Sequence, residues 1–158
     1  MRDSLATHPA FGRAAGAVPY RAAESLPVRD VMSQPPIRID VGTTLGEAQA
    51  AMIKGSFHHL LVYDAEHFVG VLSDRDLLAH LSPYLGTLAE RRGDTDTLRR
   101  RVFHATSYAP ITATPDAPVS EAARLMLHHG ISCLPIRGAT GRIVGVVTSH
   151  DLIRLLIH

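Results

Sequence analysis

Two stretches of the 158-residue chain carry the same residue types at the same spacing: Gly70-Val-Leu-Ser73-Asp-Arg-Asp76 and Gly145-Val-Val-Thr148-Ser-His-Asp151. In each, a short apolar run ends in a hydroxyl residue and is followed by a helix-like pattern. A Ser or Thr at a helix start stands beside free backbone N–H groups and the positive end of the helix dipole, a setting that suits a phosphate or ribose oxygen. The carboxylate three residues on faces the same side and can accept two hydrogen bonds from a vicinal diol. The glycine admits either a ligand or a neighbouring strand close to the backbone. One such stretch alone is equally well an N-cap followed by a first-turn acid. Its recurrence at matched points is what points to a binding site.

Those matched points belong to a longer internal repeat. At an offset of 74 residues Val28 meets Val102, Ser33 meets Ser107, Pro36 meets Pro110, Glu47 meets Glu121, and Met52 meets Met126. One extra residue then moves the offset to 75, pairing Val69, Gly70, Asp76 and Leu77 with Val144, Gly145, Asp151 and Leu152. A shift of this kind at a loop is what a duplicated structural unit produces. Each copy reads as βαββα. An extended piece follows Pro36 or Pro110. A helix comes next, with Thr44 and Glu47 as a capping box in the first copy and Pro118 in the first turn of the second. Gly55 and Gly130 are the expected helix stops. Strands His59–Tyr63 and Phe68–Leu72, or Cys133–Ile136 and Ile143–Val147, form a hairpin, and a last helix covers about 74–81 or 149–157.

The fold expected is therefore α+β, of α/β type, with two βαββα repeats packed through their sheets about a pseudo-twofold axis and a cleft on each side. Residues 1–26 read as a mobile arm, 27–82 as the first repeat, 83–100 as connector and helix, and 101–158 as the second repeat. A short helix is expected near 87–92, and a longer one over 95–105 with Leu98 and Val102 inward.

Composition narrows the function. Sixteen basic against fifteen acidic residues give a net charge of +1, so no global field draws the chain to nucleic acid or membrane. Arg91, Arg92 and Arg99–Arg101 form a basic cluster, which makes a nucleic-acid-binding accessory protein the alternative reading. Asp94 and Asp96 interrupt it, and no aromatics are interleaved. Cys133 is the only cysteine and sits in an apolar run, where a buried inert thiol is expected. The histidine pairs His58-His59 and His128-His129 lack chelating spacing, so no metal is expected. No nucleophile–base spacing, phosphate-cradling loop or metal motif suggests catalysis. No apolar run approaches the roughly 18 to 20 residues of a membrane span, and a cytoplasmic protein is expected.

The two Gly-x-x-Ser/Thr-x-x-Asp motifs, the run His129-Gly130-Ile131-Ser132-Cys133-Leu134-Pro135-Ile136 and the helix with Glu121-Ala122 together resemble the CBS domain family, in the tandem arrangement called a Bateman module, over residues 28–157. The resemblance implies a regulatory module, not an enzyme, that binds AMP, ADP or ATP, or a related compound such as S-adenosylmethionine or NAD, between its repeats. By position, Asp76 and Asp151 would hold ribose hydroxyls, with Ser73 and Thr148 near ribose and phosphate. Ile37, Phe57 and His58, or Ile111, Ile131 and Ser132, would line the adenine slots, and the slots are expected to cross between repeats. Arg75, His150 and Arg38 are candidates for phosphate contact. The first copy departs from the pattern at Phe57 and His58, whose bulk would narrow one slot, so the Thr148–Asp151 copy is the preferred one. The resemblance further implies a homodimer, a flat disc of four units, that signals to a separate partner protein.

Overall fold

The computed structural model describes residues 25–157, so nearly all of the expected N-terminal arm lies outside the described residues. The first repeat contains β1 (Arg38–Asp40), α1 (Leu45–Gly55), β2 (His59–Asp64), β3 (His67–Ser73) and α2 (Asp74–His80). A connecting helix α3 (Arg92–Asp96) leads to β4 (Ser107–Tyr108), α4 (Val119–His129), β5 (Cys133–Arg137), β6 (Ile143–Thr148) and α5 (Ser149–Arg154).

Helix starts follow the local chemistry. Thr44 and Glu47 form the expected capping box: the Glu47 amide donates to the Thr44 hydroxyl (3.2 Å) and the Thr44 amide to the Glu47 carboxylate (2.8 Å). Pro118 has no side-chain cap to offer at the start of α4. There the Val119 amide donates to the Leu26 carbonyl at 2.8 Å, and its counterpart Leu45 donates to the Arg100 carbonyl at 2.8 Å. Each helix is thus capped by backbone from the segment leading into the other repeat.

That exchange governs the whole architecture. Within each copy the hairpin is antiparallel, β2 on β3 and β5 on β6, and β1 lies parallel to β2. The segment ahead of each repeat, however, pairs with the partner repeat's last strand. β4 joins β3 through Ser107 opposite Val71, and Ser33 bridges Val146 in the same manner. Side chains follow the backbone. Val102 and Ala105 are buried in the first repeat's core with Leu45, Ala48, Met52, Leu60 and Leu72, while Val28 is buried in the second repeat's core with Ala122, Met126, Leu134 and Val147. A third cluster, Leu61, Tyr63, Val71 and Cys133, closes the space between the sheets. The strand alternation that turns Leu60 and Val62 to their own helix turns Leu61 and Tyr63 to the other sheet.

Several expectations are corrected. The glycine stop holds for Gly130, which caps α4 in the left-handed conformation (φ 63°), but in the first copy Ser56 takes that role (φ 54°) and Gly55 is the last residue of α1. Gly55 serves packing instead, because a Cβ there would run into the Phe57 ring. The helix expected over 95–105 is broken into α3 and two 3-10 turns, Thr97–Arg99 and Val102–His104, since Arg100 is extended (ψ 149°) where its carbonyl turns to cap α1. Residues 87–91 form no helix. The extended piece after Pro110 shrinks to the single bridge Ala113–Ile136, and the strand of that region, β4, precedes the proline. The final helices end at His80 and Arg154, short of the expected limits.

Candidate functional site

The motif glycine is explained by the strand exchange. A Cβ on Gly70 would stand 2.5 Å from the Ser107 carbonyl oxygen and 2.5 Å from the Thr106 methyl; on Gly145 it would stand 2.7 Å from Met32 Sδ and 3.0 Å from the Ser33 carbonyl. Of the two roles open to that glycine, admitting the other repeat's leading segment is the one it performs here.

Where β3 passes into α2, the Asp76 amide donates to the Ser73 hydroxyl (3.0 Å), and that hydroxyl donates to Asp76 Oδ2 (2.6 Å). At the β6–α5 junction Thr148 donates through both its amide (2.8 Å) and its hydroxyl (2.7 Å) to Asp151 Oδ2. The aspartates therefore double as capping residues, and a ligand diol would have to share or displace the hydroxyl's bond.

A cleft of about 440 Å³ opens beside the first junction. Its wall brings Ser73, Arg75 and Asp76 of the first repeat opposite Ile111, Ile131 and Ser132 of the second. Six of the residues singled out in the sequence thus meet across the repeats. The cleft also takes in His59, Asp74 and Cys133, none of which the sequence had placed in a binding site. His59 was legible in principle, since it shares the strand face of Leu61 and Tyr63 and must point at the other repeat. Its Nε2 lies 3.0 Å from Ser132 Oγ, a contact joining the two copies. Burial pushes the His59 pKa down, against the upward pull of Asp74 and Asp76. The Cys133 thiol is pushed up to about 12 by burial, with a smaller push from Asp151. It is the un-ionised, inert thiol expected.

The remaining candidates lie elsewhere. His58 is exposed and sits 2.8 Å from Asp74 Oδ2. Partial burial pushes the Asp74 pKa up, but hydrogen bonds from the His58 ring and the Arg75 amide outweigh it and hold the carboxyl below its usual range. Phe57 packs against its own repeat's core, and Ile37 is exposed. Thr148, His150 and Asp151 gather at the second junction, not in this cleft. Arg38 turns to the far end of the hairpins, its guanidinium carbon 3.8 Å from the Tyr63 ring centre. In the basic cluster, Arg101 donates to the Gly42 carbonyl (2.6 Å) and Arg99 lies 3.9 Å from Asp96. Among the described residues no group of three or more His, Cys, Asp or Glu could hold a metal ion, and no helix is long and apolar enough to cross a membrane.

A duplicated βαββα unit, exchanged leading segments and a cleft bounded by both copies define a tandem-repeat fold of one known kind. The CBS domain model matches residues 28–83 and 102–158, and the chain belongs to the CBS domain family as a tandem pair. A CBS domain-containing protein of Dictyostelium discoideum is 36% identical over 132 residues, covering 82% of this chain and 90% of its own length. The L-aspartate semialdehyde sulfurtransferase of Methanocaldococcus jannaschii is 33% identical over 81% of this chain, but the match spans only 23% of that enzyme. Among solved structures, the CBS domain pair of protein MJ0100 in complex with 5′-methylthioadenosine and S-adenosyl-L-methionine aligns with a TM-score of 0.68 and 27% identity, covering 82% of this chain and 94% of that one. CBSX2 in complex with AMP aligns with a TM-score of 0.66 and 25% identity, covering 83% and 96%.

Proposed function

We propose that the chain is a regulatory module, not a catalyst, and that it binds an adenosine-containing ligand, AMP, ADP or ATP in the first instance, in the cleft beside Ser73 and Asp76. The observation that carries this reading is the crossing of the site: the hydroxyl and carboxylate come from one repeat and the apolar slot of Ile111 and Ile131 from the other. A ribose diol on Asp76 and a flat base between the isoleucines fit that division of polar and apolar wall. The crossing also reorders the two sites. The Asp151 junction is the one that would face Phe57 and His58, so the cleft of Asp76, with the smaller Ile131 and Ser132, becomes the preferred one. S-adenosylmethionine and NAD share the adenosine and belong in the same test.

We further propose that the module acts as a homodimer signalling to a separate partner protein. Exposed apolar side chains recur at matched positions of the two repeats, Ile53 with Leu127 and Leu78 with Ile153, with exposures between 56% and 84%. Symmetric apolar patches on helices suit a two-fold interface. A ligand that prefers one arrangement of the repeats would shift the surface a partner reads.

Calorimetric titration of the chain with AMP, ATP, NAD and S-adenosylmethionine tests the binding. Asp76→Ala should weaken the best ligand by about 3 kcal/mol, two charge-assisted hydrogen bonds' worth, or roughly a hundredfold. Asp151→Ala should change that affinity far less. Silence towards all four compounds, or binding unaffected by Asp76→Ala, would remove the reading.

A further inference from the structure

We propose that a second cavity, on the pseudo-twofold axis at the tips of the two hairpins, binds a phosphoryl dianion. It encloses about 260 Å³ and shares no lining residue with the Ser73–Asp76 cleft. The proposal is therefore independent of the adenosine reading. Three guanidinium groups, those of Arg38, Arg137 and Arg142, reach its wall against one carboxylate, that of Glu66. Leaving His67 aside, the lining carries three positive charges and one negative, a surplus that matches a doubly charged oxyanion.

The surplus arises from the way the copies have diverged. By the repeat offset Tyr63 corresponds to Arg137, Glu66 to Gly141 and His67 to Arg142. The second copy thus contributes two arginines where the first has a ring and a histidine, and a glycine where the first has an acid, and the axis brings the two sets face to face.

Two of the arginines are already held in place. Arg38 lies over the Tyr63 ring at 3.8 Å, and that ring is braced by Phe68 at 5.5 Å. Stacking fixes the guanidinium plane and leaves its edge free to donate. Its pairing with Glu66 is long, 3.6 Å, and Glu66 is 84% exposed, so water screens that carboxylate and an incoming anion displaces little. Arg137 donates to the Gly141 carbonyl at 2.7 Å, which ties its side chain to the hairpin turn. Planar forks held at a common cavity suit phosphate oxygens, which accept paired N–H bonds. An anion there would bridge the two repeats and fix their relative position.

The full chain should be titrated with inorganic phosphate at constant ionic strength and followed through the arginine side-chain N–H resonances, with glycerol phosphate as a parallel arm. Saturable shifts confined to Arg38, Arg137 and Arg142 are expected. Arg137→Ala with Arg142→Ala should weaken phosphate binding at least about tenfold, the loss of a charge-assisted hydrogen bond or more, while adenosine binding stays intact. Glu66→Gln should strengthen it a few-fold. Arg124, exposed on α4, provides the control, and Arg124→Ala should leave phosphate binding unchanged. Tighter binding of glycerol phosphate assigns the site to a phosphomonoester; tighter binding of phosphate assigns it to the free ion. A response that never saturates, or one that Arg124→Ala weakens as much as the double variant, would overturn the proposal.

Discussion

In the first repeat the segment entering the hairpin reads Phe57-His58-His59; in the second it reads Ile131-Ser132-Cys133. Both segments leave a left-handed helix cap, at Ser56 and Gly130, and both begin a strand whose next residues, Leu60 and Leu134, are wholly buried. Backbone and core are thus matched while the residues turned toward the clefts are not. A similar split occurs after the motif hydroxyl, where Asp74-Arg75 of one copy stands for Ser149-His150 of the other. Core positions are constrained by close packing, in which even a methylene is felt, whereas a cleft position is constrained by its ligand. Divergence at the clefts over a matched core is what a duplicated frame with two differing sites would produce.

The largest test of that comparison concerns the matched glycines. Gly70→Ala would press a methyl on a backbone carbonyl at 2.5 Å and should cost about 3 kcal/mol. Gly145→Ala meets mainly the flexible Met32 side chain at 2.7 Å and should cost only about 1–2 kcal/mol. Urea unfolding measures both; equal costs would show that the two strand exchanges are tighter equivalents than the geometry indicates. Next in size is the capping contrast. Thr44→Ala removes the box at α1 and should cost about 1 kcal/mol, whereas Pro118→Ala removes no side-chain hydrogen bond and should stay within about 0.5 kcal/mol. Helical CD during thermal melts would separate them.

Smaller still is the effect of pH through His59. Its pKa is lowered in the folded state, so between that value and the unfolded value the unfolded chain binds more protons, and stability falls as pH drops below about 6.5. His59→Cys, which gives the first copy the second copy's residue, should flatten the fall of Tm between about pH 7 and 5. An unchanged slope would mean that other histidines govern it. The smallest response is expected at Cys133. With its pKa raised to about 12, the thiol should resist iodoacetamide at neutral pH until the chain is unfolded, as mass spectrometry would show.

Much of this was legible in the sequence because the repeat allowed each copy to check the other. The hairpins and the helix with Glu121 rest on short-range signals that recur at 74 or 75 residues, while the capping box at Thr44 rests on the Thr-x-x-Glu spacing of its own copy. What escaped was long-range. Nothing local marks Val102 as part of the first repeat's core or Arg100 as the cap of α1, and helical spacing from Leu98 to Val102 suggested a helix that the exchange of segments breaks. The site was readable to a similar depth. Ser73, Asp76, Ile111, Ile131 and Ser132 were each picked out by motif or resemblance and meet in one cleft. The placing of Arg38 could not be read, because its environment depends on Tyr63 and Glu66, whose orientation the packing of the sheets decides.

The exchanged leading segments also set a timetable for synthesis. A chain emerging from its N-terminus delivers Val28 and Ser33 well before their partners, Ala117 and Val146. Residues 38–108, by contrast, contain β1 through β4 and the Val102 plug, so the first sheet can close while the rest is still being made. The unit that can close first is therefore offset by about ten residues from the unit that was duplicated. The segment around Val28 and Ser33 must wait for those partners until the second repeat has been made.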